Sequence, residues 1–484
     1  MAPVLACLLL YYASAGNAGA ATQNVHEYSV ELDAGFSRIK VAACFSGSPP
    51  RYLMAESLDA SVVLRQPYLD GIKRPLEPNG TQLPLKGAQA GSCLRYEVDV
   101  THLGRRHERG AGLTGRIGDD LLLDVGLWLW RPETLSEGED LRIRFTLPDG
   151  VAVSVPWHAE GDPGTNTFRT GRSPYDWPAL SAFGRFRPVD IDLPGGRVKL
   201  VLLGVTPRRP VDKIEGWVRE AAASVVAAYG RLPVPNARVI IVPNAQGNRP
   251  VPWAFVQRGG IPSLQFLINH RLPDETFRTD DTLFHEFAHL LHPAMFHLDA
   301  WFFEGLASYY EHVLRARAGV IAPLDAWRRL HTGFARGRRS QVGTPLNQAT
   351  ERMYRNAGYM RVYWHGAALM MMADYELRRQ TQGRHSLDSA LAEVARCCLG
   401  EPVEWRARDL MALMDTYTGT SVLSDLHDSN EGANDFPLLT TVYDALGLVV
   451  RDNEVHFAAS APHAHIRDDI MKPARPPATP DSRP

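Results

Sequence analysis

The chain has 484 residues, of which 45% are hydrophobic and 22% are charged. This length favours about three domains, and the composition excludes a wholly disordered chain, a collagen-like polymer and a coiled-coil rod. The 52 basic and 54 acidic side chains leave a formal net charge of −2, so no overall field favours nucleic acid as a partner. We expect no nucleic-acid partner and no stable membrane insertion once the N-terminal segment is removed.

The N-terminal segment is typical of a secretory signal. Residues 4–15 form an apolar run that is too short to span a bilayer, and small-residue sites lie at 13–15 and 18–20. We therefore expect residues 1–20 to be a signal peptide and the mature protein to be secreted or periplasmic. The alternative is that this segment is a buried strand or a partner-binding arm.

The cysteine pattern fits an oxidising compartment. Of five cysteines, one lies in the signal segment, which leaves an even number for pairing. Cys44 and Cys93 lie in the same strand-rich segment and are the candidate disulfide. Cys397 and Cys398 are adjacent on a predicted helix, where a mutual bond would be strained. Four buried free thiols are the alternative.

Residues 22–205 predict a β-rich N-terminal domain. Apolar and polar residues alternate around Tyr28, Val30 and Leu32 and again over 141–147, with frequent Gly and Pro between the runs. The stretch 121–130 is more continuously apolar and indicates a strand that is covered on both faces. Gly and Pro residues at 194–196 and 207–210 predict a boundary near residue 205.

Beyond residue 205 the apolar spacing becomes helical. It predicts a helix at 214–229, strands at 238–242, 253–255 and 264–268, and a helix at 282–291. Further helices are expected at 324–338, 359–379, 386–398 and 404–417. We therefore predict a mixed domain at 206–318, an α-helical domain at 319–450 and a C-terminal tail at 451–484 that is disordered at least from 471.

The motif His285-Glu286-x-x-His289 lies on a predicted helix of the mixed domain. Residues four apart share one helix face, so both imidazoles can point at one metal ion, while Glu286 is turned about 100° away beside it. Two histidines with an adjacent carboxylate are the arrangement of a zinc site with a general base. The apolar residues around the motif would bury this helix, and Pro293 ends it.

Zinc needs a third protein ligand, and the candidates are His292, His297, Asp299, Glu304 and Glu311. Glu304 is favoured because it opens a second amphipathic helix and is followed by Gly305, which lets a neighbouring backbone approach closely. A carboxylate that merely stabilises a helix start is the alternative. Asp299 and Glu311 either orient the ligands or are exposed helix charges. We interpret His292 and His297 as packing or surface residues.

These residues resemble the gluzincin zinc metallopeptidases. The second helix is similar to that of the large zinc aminopeptidases, and the order of the domains resembles the glycyl aminopeptidase family, which usually bears a PDZ domain. The resemblance is specific over 281–311, moderate to about 450 and weak before 205. The matching residues of the second block are Asp299, Trp301, Glu304, Gly305, Ala307, Ser308, Tyr309 and Glu311.

The resemblance implies an α+β multidomain fold with a β-rich N-terminal domain, a thermolysin-like mixed catalytic domain at 206–318 and an α-helical C-terminal domain. It implies one Zn²⁺ per chain bound by His285, His289 and Glu304, with Glu286 as the general base. The partner implied is a peptide or protein substrate.

A second match is the segment from Tyr363 to Ala367, which is similar to the Tyr-x-Lys-Gly segment that supplies a tyrosine to the reacting carbonyl oxygen. Tyr363 is therefore implied as catalytic, and an aromatic on a buried helix face is the alternative. This chain departs from the families because His365 replaces the lysine and because 14 residues separate His289 from Glu304, fewer than is usual. We also expect no PDZ domain.

The main departure concerns the anchor for the substrate amine. The aminopeptidases carry a Gly-x-x-Glu strand whose carboxylate holds the free amine, whereas the matching stretch 259–263 has no carboxylate here. Gly259 and Gly260 would still let a peptide lie along the strand edge, so they are the predicted substrate-binding residues. We predict an aminopeptidase-like zinc peptidase. The alternatives are a non-catalytic peptide-binding protein on the same fold and a zinc hydrolase of a non-peptide amide.

Overall fold

The computed structural model describes residues 24–72, 74–101, 114–136, 138–162, 164–204, 211–356 and 358–473. The predicted signal peptide and residues 474–484 of the predicted tail lie outside these ranges. Within them, no helix combines the length and the apolar character that crossing a membrane requires.

The described residues form two compact units. The first takes its residues from 24–101, 126–148 and 157–175, and the second from 114–125, 149–156 and 176–473. The domain boundaries that we placed at 205, 318 and 450 remain predictions.

The described residues form the following strands and α-helices, each kind numbered in chain order. The strands are β1 (Asn24–Leu32), β2 (Arg38–Cys44), β3 (Tyr52–Met54), β4 (Leu64–Leu69), β5 (Gln82–Pro84), β6 (Cys93–Asp99), β7 (Gly115–Ile117), β8 (Asp120–Asp124), β9 (Glu139–Thr146), β10 (Ala152–Ser154), β11 (His158–Ala159), β12 (Thr167–Thr170), β13 (Leu180–Gly184), β14 (Val189–Leu193), β15 (Gly196–Leu202), β16 (Asn236–Asn244), β17 (Trp253–Gln257), β18 (Ser263–Asn269), β19 (Leu448–Arg451) and β20 (Glu454–Phe457). The helices are α1 (Ala60–Val63), α2 (Val125–Trp128), α3 (Val211–Val226), α4 (Asp274–Thr279), α5 (Thr282–Ala288), α6 (Ala300–Arg317), α7 (Pro323–Arg339), α8 (Leu346–Asn356), α9 (Tyr359–Gln380), α10 (Leu387–Cys397), α11 (Ala407–Thr418), α12 (Val422–Asn430), α13 (Thr440–Leu446) and α14 (Ala464–Ile470).

The first unit is built on a seven-stranded sheet in the order β11-β12-β9-β1-β2-β6-β4. β1 runs parallel to β9, and the other neighbours are antiparallel. The alternation that predicted β1 is present, since Tyr28, Val30 and Leu32 are buried and the residues between them are exposed. Cys44 on β2 lies opposite Cys93 on β6, and their sulfurs form a disulfide.

Two local predictions are wrong. The apolar stretch 121–130 is not one strand, because β8 ends at Asp124 and the chain continues as the short helix α2. The stretch is continuously apolar because residues 121–123 are buried in the second unit whereas 127–130 are buried in the first. Cys397 and Cys398, which we did not expect to pair, form a disulfide where α10 ends and Cys398 leaves helical geometry with φ −130°.

The second unit has two packed sheets and a set of helices. The antiparallel sheet β10-β13-β8-β7 packs on the mixed sheet β14-β15-β16-β18-β17, with Ile240 and Val242 of β16 in the layer between them. The alternate residues Val239 and Ile241 point to the other face, where α3 and α5 cover the sheet. β17 forms one edge of the mixed sheet.

The helical segments are largely as predicted, since α3, α5, α7, α9, α10 and α11 lie within a few residues of the predicted ranges. Residues 451–473 of the predicted tail are described by the structure. They contain β20 and α14, whose Ile466 and Ile470 are buried in the helical core.

α6 and α9 approach each other at two glycines. A Cβ on Gly366 would lie 1.8 Å from the carbonyl oxygen of Trp301, and a Cβ on Gly305 would lie 2.4 Å from the Cα of Gly366. The two backbones touch because neither residue has a side chain. Glu304 precedes one glycine and Tyr363 is one turn before the other, so this contact sets the distance between the two helices that carry these predicted site residues.

A buried ionic network also joins α6 to α9 and α10. Arg317 pairs with Asp388 at 2.7 Å, and Arg378 pairs with Asp374 at 2.9 Å and with Asp388 at 3.1 Å. The hydroxyls of Tyr309 and Tyr310 donate to Asp374 and Asp388. Because every charge has a partner and further hydrogen bonds, the cost of burying the network is offset.

The glycine contact predicts a large effect for Gly366→Ala. The added methyl group must displace the backbone of α6, so we expect the free energy of unfolding to fall by about 1–3 kcal/mol or more. Gly216→Ala is the matched control, because Gly216 is exposed on α3 with nothing within 4 Å of its Cβ position. It should stabilise the protein by about 0.5–1 kcal/mol. Thermal and urea unfolding of both variants test this, and an unchanged midpoint for Gly366→Ala would contradict it.

Candidate active site

Three predicted ligands meet between α5 and α6. His285 and His289 lie on α5 and on the 3₁₀ turn that follows it, and Glu304 lies in the first turns of α6. The Nε2 of His285 is 3.1 Å and the Nε2 of His289 is 3.6 Å from Oε2 of Glu304. All three ligand atoms lie within 4.8 Å of one another, and the three side chains are buried. Two imidazole nitrogens and one carboxylate oxygen are a donor set that suits zinc.

Both ring nitrogens of His285 contact carboxylates of α6. Its Nδ1 donates to Oε2 of Glu311 at 2.8 Å, which leaves Nε2 directed towards Glu304. This is the contact by which a carboxylate orients a metal-ligating imidazole. Glu311 therefore occupies the position that its predicted orienting role requires.

His289 is oriented by a second histidine, which the sequence analysis had interpreted as a packing or surface residue. Nδ1 of His292 lies 2.7 Å from the carbonyl oxygen of Pro293, and a carbonyl only accepts, so this nitrogen carries the proton. Nε2 of His292 is then an acceptor, and Nδ1 of His289 donates to it at 2.9 Å. We call this pair of hydrogen bonds, from His289 to His292 and from His292 to the Pro293 carbonyl, the histidine relay. The relay leaves Nε2 of His289 with a free lone pair facing Glu304.

Burial and neighbouring charges shift the pKa values of the site residues. Burial would lower the pKa of His285, but its hydrogen bonds to Glu304 and Glu311 outweigh burial and raise that pKa well above its ordinary value. Burial would raise the pKa of Glu304, yet the two histidines lower it. Burial raises the pKa of Glu286 to about 8.

Tyr363 lies beside the same imidazole. Its ring stacks on that of His285 with centroids 5.8 Å apart and planes 10° apart, and Tyr359 packs edge-on against it. Burial and the nearby carboxylate of Glu304 raise the pKa of Tyr363 well above its ordinary value. The hydroxyl therefore stays protonated at neutral pH and is able to donate a hydrogen bond.

The predicted substrate-binding glycines follow β17 and pack closely against other backbone segments. A Cβ on Gly259 would lie 2.6 Å from the carbonyl oxygen of Trp177. A Cβ on Gly260, whose φ is +130°, would lie 2.1 Å from the carbonyl oxygen of Pro156. The same oxygen accepts a hydrogen bond from the N–H of Ile261 at 2.7 Å. Packing of the two sheets is thus sufficient to require both glycines, and their role in substrate binding remains a prediction.

The described hydrogen bonds of Asp299 are to residues other than the histidines that we predicted it to orient. Its Oδ2 accepts from Nε of Arg406 at 2.7 Å and from the backbone N–H of Ala407 at 2.9 Å. Within the described part of the chain, none of its hydrogen bonds reaches His285 or His289. The carboxylate joins the start of α6 to the start of α11.

In sequence comparisons, no protein-family model and no curated protein matches this chain. Solved structures do match. An aminopeptidase N family protein from Idiomarina loihiensis has a TM-score of 0.66 at 14% identity, over 90% of this chain and 82% of that one. An M1 zinc metallopeptidase from Deinococcus radiodurans has a TM-score of 0.53 at 15% identity, over 86% and 94%.

The yeast LTA4 hydrolase, solved with bestatin, matches with a TM-score of 0.53 at 12% identity, over 87% of this chain and 70% of that one. The predicted fold class is confirmed: a β-rich N-terminal region, a mixed region that carries the zinc motif and a helical C-terminal region. The chain has the fold of the M1 zinc metallopeptidases, and the resemblance to gluzincins holds at the level of the fold.

The histidine relay predicts that His292→Phe weakens metal binding. Without the acceptor nitrogen, His289 loses the contact that fixes its tautomer, so we expect the affinity for Zn²⁺ to fall by about 10–100-fold. Competition against a chromophoric chelator measures this affinity. His297→Phe is the control, because His297 is exposed and its described contact is to the ring of Phe296. Equal affinities for the two variants would contradict the relay.

Proposed function

We propose that this chain is a zinc-dependent, aminopeptidase-like hydrolase of peptides. The observation that carries the proposal is the group of His285, His289 and Glu304, with Glu286 on the same helix, in a fold shared with zinc metallopeptidases. These three residues would hold the ion through two Nε2 atoms and one carboxylate oxygen. When bound, zinc polarises a carbonyl group and lowers the pKa of a water molecule.

The remaining side chains supply proton transfer and orientation. Glu286 takes a proton from the attacking water and returns it to the leaving amine. Tyr363 donates its hydroxyl proton in a hydrogen bond to the oxyanion that develops on the substrate carbonyl. Glu311 and His292 hold the Nδ1 atoms of the two ligand imidazoles and so keep both Nε2 atoms available.

The substrate class is supported by the structural neighbours. A mutant of the Deinococcus radiodurans enzyme was solved with a Tyr-Ser-Ala substrate, and a mutant of a two-domain M1 zinc metallopeptidase was solved with L-arginine. By analogy we propose a peptide substrate for this chain. We further propose that the substrates are extracytoplasmic, because residues 4–15 are typical of a signal peptide and Cys44 pairs with Cys93.

The proposal predicts that Glu286→Gln keeps zinc and loses turnover. The amide has nearly the same shape but cannot accept the proton of water, so we expect kcat to fall by about 10²–10⁴-fold. Mass spectrometry of a mixed peptide library, with zinc quantified in both proteins, measures this. A zinc-loaded variant that cleaves as fast as the wild type would contradict the mechanism.

The same library separates the alternatives. Loss of single N-terminal residues indicates an aminopeptidase, and internal cuts indicate an endopeptidase. A wild-type protein with one zinc that binds peptides without cleaving them would instead be a peptide-binding protein. One that neither binds nor cleaves peptides would favour a non-peptide amide as the substrate.

Tyr363→Phe should lower kcat by about 10²–10³-fold with little change in zinc content, because only the oxyanion donor is lost. Tyr359→Phe is the matched control, since Tyr359 lies one turn earlier on α9 and contacts Tyr363 edge-on. Its kcat should stay close to that of the wild type. Equal losses in both variants would assign Tyr363 to packing rather than to catalysis.

A further inference from the structure

Arg258 lies directly after β17, beside the candidate zinc site. β17 pairs with β18 along one side, and no other described strand pairs with it. Nη2 of Arg258 donates to the backbone carbonyl oxygen of His289 at 2.6 Å. The guanidinium group is therefore held against the residue whose side chain is a proposed zinc ligand.

This guanidinium group has no carboxylate partner among the residues that the structure describes. Its described hydrogen bond is to a neutral carbonyl oxygen, which leaves most of its five N–H donors without a described acceptor. An arginine guanidinium group is charged at neutral pH. The side chain is half-buried, so an anionic ligand could reach this unpaired charge and would be stabilised by it.

The residues that flank Arg258 carry no acidic side chain. Gln257, the last residue of β17, accepts a hydrogen bond from Gln265 on β18, and both are buried. Residues 259–263 contain no acidic side chain. The end of this edge strand thus offers a cation, and it has no carboxylate with which to hold a substrate ammonium group.

The neighbouring carboxylates of the site are already engaged. Glu304 and Glu311 contact the two nitrogens of His285, and Glu286 is the proposed general base. None of them forms a described ion pair with Arg258. An incoming carboxylate can therefore meet the guanidinium group without displacing an internal partner.

We infer that Arg258 forms a carboxylate-binding subsite next to the zinc site, so that this enzyme selects peptides with a carboxylate close to the scissile bond. The inference rests on the proposed function and adds the substrate class to it. A planar guanidinium group forms paired, charge-assisted hydrogen bonds with a carboxylate. That carboxylate comes either from an acidic side chain or from the C-terminus of a short peptide.

The test measures peptide binding separately from turnover. Zinc-loaded Glu286→Gln protein is titrated with two kinds of matched peptide pairs. In one pair the C-terminus is a free acid or an amide, and in the other a residue next to the scissile bond is Glu or Gln. We expect the acid to bind at least about tenfold more tightly in one of the pairs, and that pair identifies the source of the carboxylate.

Adding Arg258→Gln to this protein removes the charge but keeps an N–H donor for the carbonyl oxygen of His289. We expect the preference for the acid to fall below about twofold, with zinc content unchanged, while Arg258→Lys retains part of it. Arg271→Gln, which removes an exposed charge just after β18, is the matched control and should leave the preference intact.

The outcomes separate this inference from the proposed function. Equal binding of acid and amide in both pairs would overturn the carboxylate subsite, as would an Arg258→Gln variant that weakens all four peptides alike. If the wild-type protein hydrolyses none of these peptides but the acid preference depends on Arg258, the subsite stands and the peptidase proposal fails. If hydrolysis occurs without any preference, the peptidase proposal stands and the subsite fails.

Discussion

The close approach of α6 to α9 is the constraint on which the site depends. Gly305 and Gly366 let the two backbones touch, and this contact places the carboxylate of Glu304 and the ring of Tyr363 around one imidazole, that of His285. Glu304 and Tyr363 each lie within one helical turn of one of these glycines. A side chain at either glycine would therefore move the proposed metal ligand and the tyrosine together. The positions of Glu304 and Tyr363 are therefore a consequence of helix packing.

The second constraint is the burial of charge on α6. Glu304 and Glu311 are seven residues apart, which is about two helical turns, so both lie on the face that meets α5. One contacts Nε2 and the other Nδ1 of His285, and each thereby gains the partner that a buried carboxylate needs. Further along the helix, Arg317 gains its partner from Asp388 on α10. The same requirement for pairing thus orients a ligand at one end of α6 and anchors the helix at the other.

Local spacing was sufficient to predict the parts of the site that depend on local geometry. The spacing of four between His285 and His289 predicted a shared face, and the glycine after Glu304 indicated a close helix contact, which the structure contains. His292 was missed because its role depends on the change from α-helix to 3₁₀ turn at His289, which a regular helical period does not reveal. The apolar stretch 121–130 was misjudged for a similar reason, since continuous burial has the same pattern whether one unit or two provide it.

The sequence assigns no residue to hold the amine of a substrate, and this bears directly on which substrates the site accepts. A zinc site with two histidines and a carboxylate is suited to hydrolysis but does not set the direction in which a peptide lies, because a bound ion would act on water and on the scissile carbonyl and not on the ends of the peptide. A charge at a fixed distance from the metal would supply that orientation. In the described site Glu304 and Glu311 contact His285 and Glu286 is the proposed base, whereas Arg258 is held at the carbonyl oxygen of His289 and has no described carboxylate partner. If a substrate carboxylate pairs with this guanidinium group, the position of that carboxylate determines which part of the peptide lies at the zinc ligands. The distance between Arg258 and the zinc ligands would then decide which bond is cleaved.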